Sequence, residues 1–275
     1  MEKIKEIIKV MKKHSNTLIL LLCIIVFCVA GGVLLHKYIT EKNAQDKFES
    51  LSNKNTEIEE VTDTEEVEET IFTRFGIEDP EKNLDWEYLW GENKDIYAWL
   101  YVPGTVIDYP VLQHETDDTY YLLHNLDGSK GRPGCIYSEK LNKKDFTDYN
   151  TLLYGHNMRV GTMFADLHKF EEKSFFDEQR YFFIYTPDGI YVYEIFAAYK
   201  FNNSHILYNY DCFSEEGFAS YLNMVFEDYK DEGHFREGVE VTGSDKIITL
   251  STCVRGNDNL RYLVQGVLIE YEAEE

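Results

Sequence analysis

Basic residues are scarce in this sequence: 27 lysines and arginines stand against 50 aspartates and glutamates, a formal net charge of −23. So acidic a chain argues against a general affinity for nucleic acid or for anionic lipid surfaces. Cysteine is sparse too, with five in 275 residues. Cys23 and Cys28 sit in an apolar run near the N-terminus. The other three, Cys135, Cys212 and Cys253, are odd in number and show no C-x-x-C spacing. A disulfide framework or a zinc site therefore has little support, and at least one thiol is left free. Internal repeats are missing as well, and the length suits one sizeable domain with appendages.

One long hydrophobic run is present. Residues 17–35, TLILLLCIIVFCVAGGVLL, are apolar almost throughout. At about 1.5 Å per residue they nearly match a hydrocarbon core of about 30 Å. The run has no polar stripe, as a core helix would, and it is longer than a signal-peptide apolar region, with only CVAGG as a weak cleavage site. Neither cysteine in it follows the small residues expected of a lipoprotein. Residues 17–36 are expected to form an uncleaved membrane anchor. Lys3, Lys5, Lys9, Lys12 and Lys13 precede the run, and only Lys37 and Lys42 closely follow it. The positive-inside bias then places residues 1–16 in the cytoplasm and the bulk of the chain outside.

Residues 37–75 are polar and then strongly acidic, as in NTEIEEVTDTEEVEET, and are expected to be a solvated spacer. A globular domain is expected over 76–275. Leu84, Trp86, Tyr88, Leu89 and Trp90 predict a short helix, and Ile96, Trp99 and Leu100 a second one. The stretches GCIYS, NTLLYGH, YFFIYTP, GIYVYEIFAAYKF, IITLSTC and RYLVQGVLIEY read as strands, with TPDG as a hairpin turn. Ser214 ahead of Glu215 and Glu216, with Phe218, Tyr221, Leu222, Val225 and Phe226 at helical spacing, predicts a helix inserted late in the chain. The fold class is mainly β, a closed or half-closed barrel decorated by helices.

A thiol is a useful nucleophile when a base or a positive charge stands near it. Cys253 ends an apolar strand. His156 ends another, in LLYGHNM, where Gly155 permits a tight turn. No Asp or Asn that would orient this imidazole is identifiable. His114, His124, His168, His205 and His234 lie in polar contexts, where a solvated histidine is the default. Arg261 opens the strand after the cysteine and could donate to a carbonyl oxygen that gains charge during acyl transfer. Arg255, closer in sequence, competes for that role.

TLSTC with an arginine eight positions after the cysteine, an upstream YGHNM…GTMF, VPGT-x-IDYPV, and YYL ahead of G-x-IY occur in the order and spacing of one family. Over roughly residues 84–271 the chain resembles the sortases, class B in particular. The resemblance implies a closed barrel of about eight strands and a cysteine transpeptidase on a Gram-positive cell surface, membrane-anchored with its catalytic domain outside. It implies Cys253 as nucleophile, His156 as general acid and base, and Arg261 as the group that holds the substrate carbonyl. Ser251 and Thr252 are expected to contact the peptide. The expected partners are secreted proteins carrying a C-terminal sorting signal, NPQTN- or LPxTG-like, and the amine of a peptidoglycan precursor of the lipid II type. No cofactor and no metal are expected. Pilin polymerisation, or peptidase action with water as acceptor, remain open at this point. A pilin-type lid is disfavoured because Asp79-Pro80 is followed by Glu81 and not by an aromatic residue.

Overall fold

The computed structural model describes residues 2–54 and 69–274, so the acidic run at 55–68, the centre of the expected spacer, lies outside the described residues. The chain divides into two units, Met1–Asn43 and Ala44–Glu275. Helix α1, Glu2–Lys54, makes up the first unit and contributes its last turns to the second. Its segment Ile19–Ser52 includes a window of mean hydropathy 2.8, long and apolar enough to cross a membrane.

In the second unit, α2 (Ile71–Arg74) and α3 (Trp86–Glu92) precede strands β1 (Ile96–Tyr101) and β2 (Asp108–Leu112). Helix α4 (Tyr120–Leu123), β3 (Ile136–Tyr137) and β4 (Asn150–Tyr154) follow, then a 3-10 helix (Phe164–Glu171) and α5 (Lys173–Glu178). The rest comprises β5 (Tyr181–Thr186), β6 (Gly189–Asn202), α6 (Ile206–Asn209), α7 (Glu215–Asp228), β7 (Gly233–Phe235), β8 (Ile247–Val254) and β9 (Asn257–Ala273). The strands run in the order β5-β1-β2-β3-β4-β8-β9-β6, and β6 pairs back onto β5. Eight strands thus close a barrel, as expected, and β7 adds an extra strand along β6.

The late helix forms as its sequence dictates. Ser214 caps it by accepting from the Gly217 amide at 3.1 Å, and Glu215 and Glu216 complement the positive helix start. Phe218, Tyr221, Leu222 and Val225 form its buried face, against Leu152, Leu263 and Val267 on the outside of the barrel. Between them lies a buried polar network. The Gln265 amide donates to Tyr221 Oη and Thr249 Oγ1, both at 2.9 Å, and accepts from Tyr199 Oη at 3.1 Å. Gln265→Met would remove these three bonds, taking from the Tyr199 hydroxyl its acceptor while Thr249 keeps its bond to Asn150 Oδ1, so stability is expected to fall by about 1–3 kcal/mol. A lower urea midpoint at unchanged m-value would report it.

Two expectations differ from the structure. The second helix predicted at Ile96, Trp99 and Leu100 is strand β1. Five of its six residues are buried, and it is paired with β2 on one side and β5 on the other. A strand covered on both faces shows no alternation to distinguish it from a short helix. The segment 37–75 is also more than a spacer at its two ends. Phe48, Leu51, Ile71 and Phe72 are buried in the barrel core, Phe48 edge-on to Tyr109 at 5.4 Å and Phe72 against Phe183 at 4.5 Å. Asp108 secures this attachment, accepting from Ser52 Oγ (2.5 Å), Lys82 Nζ (2.7 Å) and Trp99 Nε1 (2.6 Å). Two apolar side chains three apart on one helix face suffice to seat it, a signal easily lost in a polar stretch.

Candidate active site

Side chains alternate along β8, so Ser251 and Cys253 share its outer face and Thr252 turns to the other. Cys253 is an exposed free thiol. Thr252 is 2% exposed, and its hydroxyl donates to the Gly155 carbonyl at 2.8 Å. That bond belongs to a longer seam. Strand β4 runs parallel to β8 with Tyr154 opposite Ser251, and the Gly155 amide donates to Ser251 O at 3.2 Å. Two parallel strands therefore deliver their C-terminal ends, one bearing His156 and the other Cys253, to the same rim.

Gly155 makes this rim possible. A Cβ there would stand 2.5 Å from Ile136 Cδ1 and 2.7 Å from Phe164 Cγ. The next residue, His156, is half-buried, and its Nε2 donates to the Leu122 carbonyl at 2.8 Å. In the neutral ring this places the proton on Nε2 and leaves Nδ1 as the acceptor. The orienting group that the sequence did not disclose is thus a main-chain carbonyl in α4, which no residue type advertises. Burial holds the His156 imidazole below the ordinary histidine value of 6.5, with the charge of Arg132 acting in the same direction and the Leu122 bond opposing.

Strands β8 and β9 join through a two-residue turn, Arg255-Gly256, with Val254 opposite Asn257 and Gly256 at φ +80°. A register shift next to the turn, between Val254 and Cys253, then makes Arg261 the direct cross-strand partner of Cys253, so their side chains lie on one face. Arg261 Nη1 donates to the carbonyls of Asp258 and Leu260, both at 3.0 Å. Its Nε and Nη2 make no hydrogen bond among the described residues. Arg255, in the turn itself, reaches towards Asn157 Oδ1 and Met158 O and lines a different cavity.

Cys253, His156, Arg261, Ser251 and Thr252 all line one groove of about 270 Å³. Tyr137 and Tyr154 also line it, stacked at 5.4 Å. So does a pair that the sequence did not single out, His205 Nε2 and Glu139 Oε2 at 2.6 Å. Burial raises the Glu139 carboxyl, and the charge and hydrogen bond of His205 work against that rise. A thiol, an imidazole with a free acceptor nitrogen and a guanidinium with unused donors provide the parts of an acyl-transfer site. Among the described residues, no group of three or more His, Cys, Asp or Glu side chains is placed to hold a metal ion.

A family model described as the sortase domain matches residues 100–269. This chain belongs to the sortase family. Sortases are cysteine transpeptidases, and the relatives of this one are class B. Sortase B of Listeria monocytogenes is 38% identical over 179 residues, 64% of this chain and 71% of that protein. Among solved structures, Clostridium perfringens sortase B is 32% identical with a TM-score of 0.60, covering 67% of this sortase and 100% of the other chain. The Staphylococcus aureus sortase B–substrate complex is 26% identical with a TM-score of 0.64, covering 84% of this sortase and 99% of that chain. The closed barrel expected from the sequence is thus the sortase barrel.

Proposed function

We propose that this sortase cleaves a C-terminal sorting motif, NPQTN- or LPxTG-like, after its threonine and transfers the threonyl group to the amine of a lipid II-type peptidoglycan precursor. Cys253 Sγ attacks the threonyl carbonyl carbon, Arg261 holds the oxygen as it gains charge, and the C–N bond breaks as His156 protonates the departing amine. The incoming amine then attacks the thioester, gives its proton to His156 and releases the thiolate. Ser251 contributes to the peptide-binding face. Thr252 acts one step removed, since its hydroxyl is engaged by the carbonyl that precedes His156. Residues 17–36 anchor the enzyme in the membrane with residues 1–16 in the cytoplasm and the barrel outside. The convergence of Cys253, His156 and Arg261 on a single groove carries this reading.

The test is to incubate the full chain in detergent with labelled NPQTN- and LPxTG-type peptides and an amine acceptor. A ligated peptide is the expected product. Free acid alone in the presence of acceptor would mean a hydrolase, and cleavage of neither motif would sink the proposal.

The buried imidazole also sets a pH limit. The reactive pair is a thiolate beside a protonated His156, which has lost one proton relative to the acid form. It is depleted when both groups hold theirs. Activity is therefore lost as pH falls through the lowered His156 value. The acid limb of kcat/KM is expected below pH 6.5, the ordinary histidine value. A limb at or above that value contradicts the assignment of His156 as the buried partner of the thiol.

A further inference from the structure

The loop that follows His156 is closed at its base. Asn157 and Met163 pair across it as an antiparallel bridge, and the Phe164 amide donates to the His156 carbonyl at 3.0 Å. Asn157 Nδ2 also donates to the Cys253 carbonyl at 3.0 Å, so one short segment touches the main chain of both reacting residues. Phe164 fills the space that Gly155, lacking a Cβ, leaves open. Met163 has φ +58° and ψ −127°, a conformation suited to glycine and costly for a residue with a side chain. Such a backbone persists only where its surroundings fix it.

The surroundings that fix it reach back to the end of α1. The Met163 side chain is fully buried, and its amide donates to the Tyr109 hydroxyl at 3.2 Å inside the core. Tyr109 stands on β2 and is 2% exposed. Phe48 of α1 packs edge-on against its ring at 5.4 Å, and Gln45 Oε1 accepts from its hydroxyl in a long bond of 3.5 Å. The adjacent Asp108 ties down the same stretch of α1 through Ser52. Burial raises the Tyr109 phenol, so the hydroxyl keeps its proton.

We propose that Tyr109 is a positioning residue of the sortase reaction: held by Phe48 of α1, its hydroxyl locks Met163 and thereby the loop that follows His156 and braces Cys253. The proposal rests on His156 and Cys253 being the reacting pair. Tyr109, Met163 and Phe164 do not line the groove. Loosening the lock therefore leaves the peptide-binding face in place and misaims the imidazole. The last turns of α1 then act on the reaction and are more than an attachment.

The test uses full-chain variants held well below their thermal midpoints. It measures kcat and KM for transfer of labelled NPQTN- and LPxTG-type peptides, and the rate at which iodoacetamide alkylates Cys253, read by mass. Tyr109→Phe removes only the hydroxyl. Its kcat is expected to fall about five- to tenfold, the worth of one buried hydrogen bond, with KM within about twofold of wild type. Alkylation draws on the same thiol and imidazole and should slow by a similar factor. Phe48→Leu keeps the bulk and loses the aromatic edge. It should lower kcat by about threefold, and by less when Tyr109→Phe is already present. The control is Gln265→Met, which weakens the fold at a network that shares no partner with this loop. It should leave kcat and alkylation unchanged. A wild-type kcat in Tyr109→Phe, a loss confined to KM, or an equal loss in Gln265→Met overturns the lock. Should Tyr109→Phe fail to fold, Phe48→Leu decides, and a kcat equal to wild type there overturns it. If neither motif is cleaved, alkylation decides, and equal rates in wild type and Tyr109→Phe overturn it. Transfer retained in Cys253→Ala fails the functional reading instead.

Discussion

Cys253→Ala is expected to leave the chain folded and to reduce peptide cleavage and transfer to the assay floor, a loss on the order of 10⁶-fold as for removal of other acyl-transfer nucleophiles. Folding is spared because the side chain is exposed at the end of β8 and packs into no core. No other thiol of the barrel can stand in for it. Cys135 is 1% exposed, and burial pushes its thiol well above the ordinary value. Cys212 is equally covered, with its thiol pushed up to about 12. Single-turnover assays with labelled peptide check the loss, and an unchanged thermal midpoint checks the fold. Residual transfer above about one part in a hundred would contradict the assignment, since binding and oxyanion contacts alone leave far less than that.

Arg261→Gln should lower kcat by about 10²–10³, the usual cost of removing one donor to a developing oxyanion, with a smaller effect on KM. The comparison that gives this its force is Arg255→Gln, which should stay close to wild type. Both arginines follow Cys253 closely in the chain, and only one faces the groove. Arg261 is the cross-strand partner of Cys253, with Nη1 held by the carbonyls of Asp258 and Leu260 and its remaining donors unused among the described residues. Arg255 projects from the turn towards Asn157 and Met158. Steady-state kinetics on the two variants separates the roles. A larger loss in Arg255→Gln would transfer the oxyanion function to the turn.

The parts of this site differ in how openly the sequence displays them. Cys253 and His156 are conspicuous because each stands at the end of an apolar strand, whereas the pairing of Arg261 with Cys253 depends on a register shift in β9 that the turn at Arg255-Gly256 does not disclose. The groups that orient these residues are silent for two reasons. Leu122 acts on His156 through its carbonyl, which every residue type has. Tyr109 reads as one more core aromatic of β2, and only the fold brings its hydroxyl to the Met163 amide, across 54 residues. The same limit applies to the fold. Strand β6 is long, rich in aromatic and β-branched residues, and begins after a clear hairpin turn, so it is legible. Strand β1 is covered on both faces and imitates a helix. Phe48 and Leu51 are isolated among polar neighbours, and their burial becomes evident only when the barrel surface that receives them exists.

The parallel pairing of β4 with β8 has a consequence for the order of events in folding. Its hydrogen bonds join residues 97 and 99 positions apart, so they form only after a large loop has closed, among the slower contacts in the chain. Until then the thiol and the imidazole belong to unrelated segments, and no partly folded intermediate carries a working acyl-transfer centre. On the roles proposed for Cys253 and His156, barrel closure is thus the event that assembles the reactive centre.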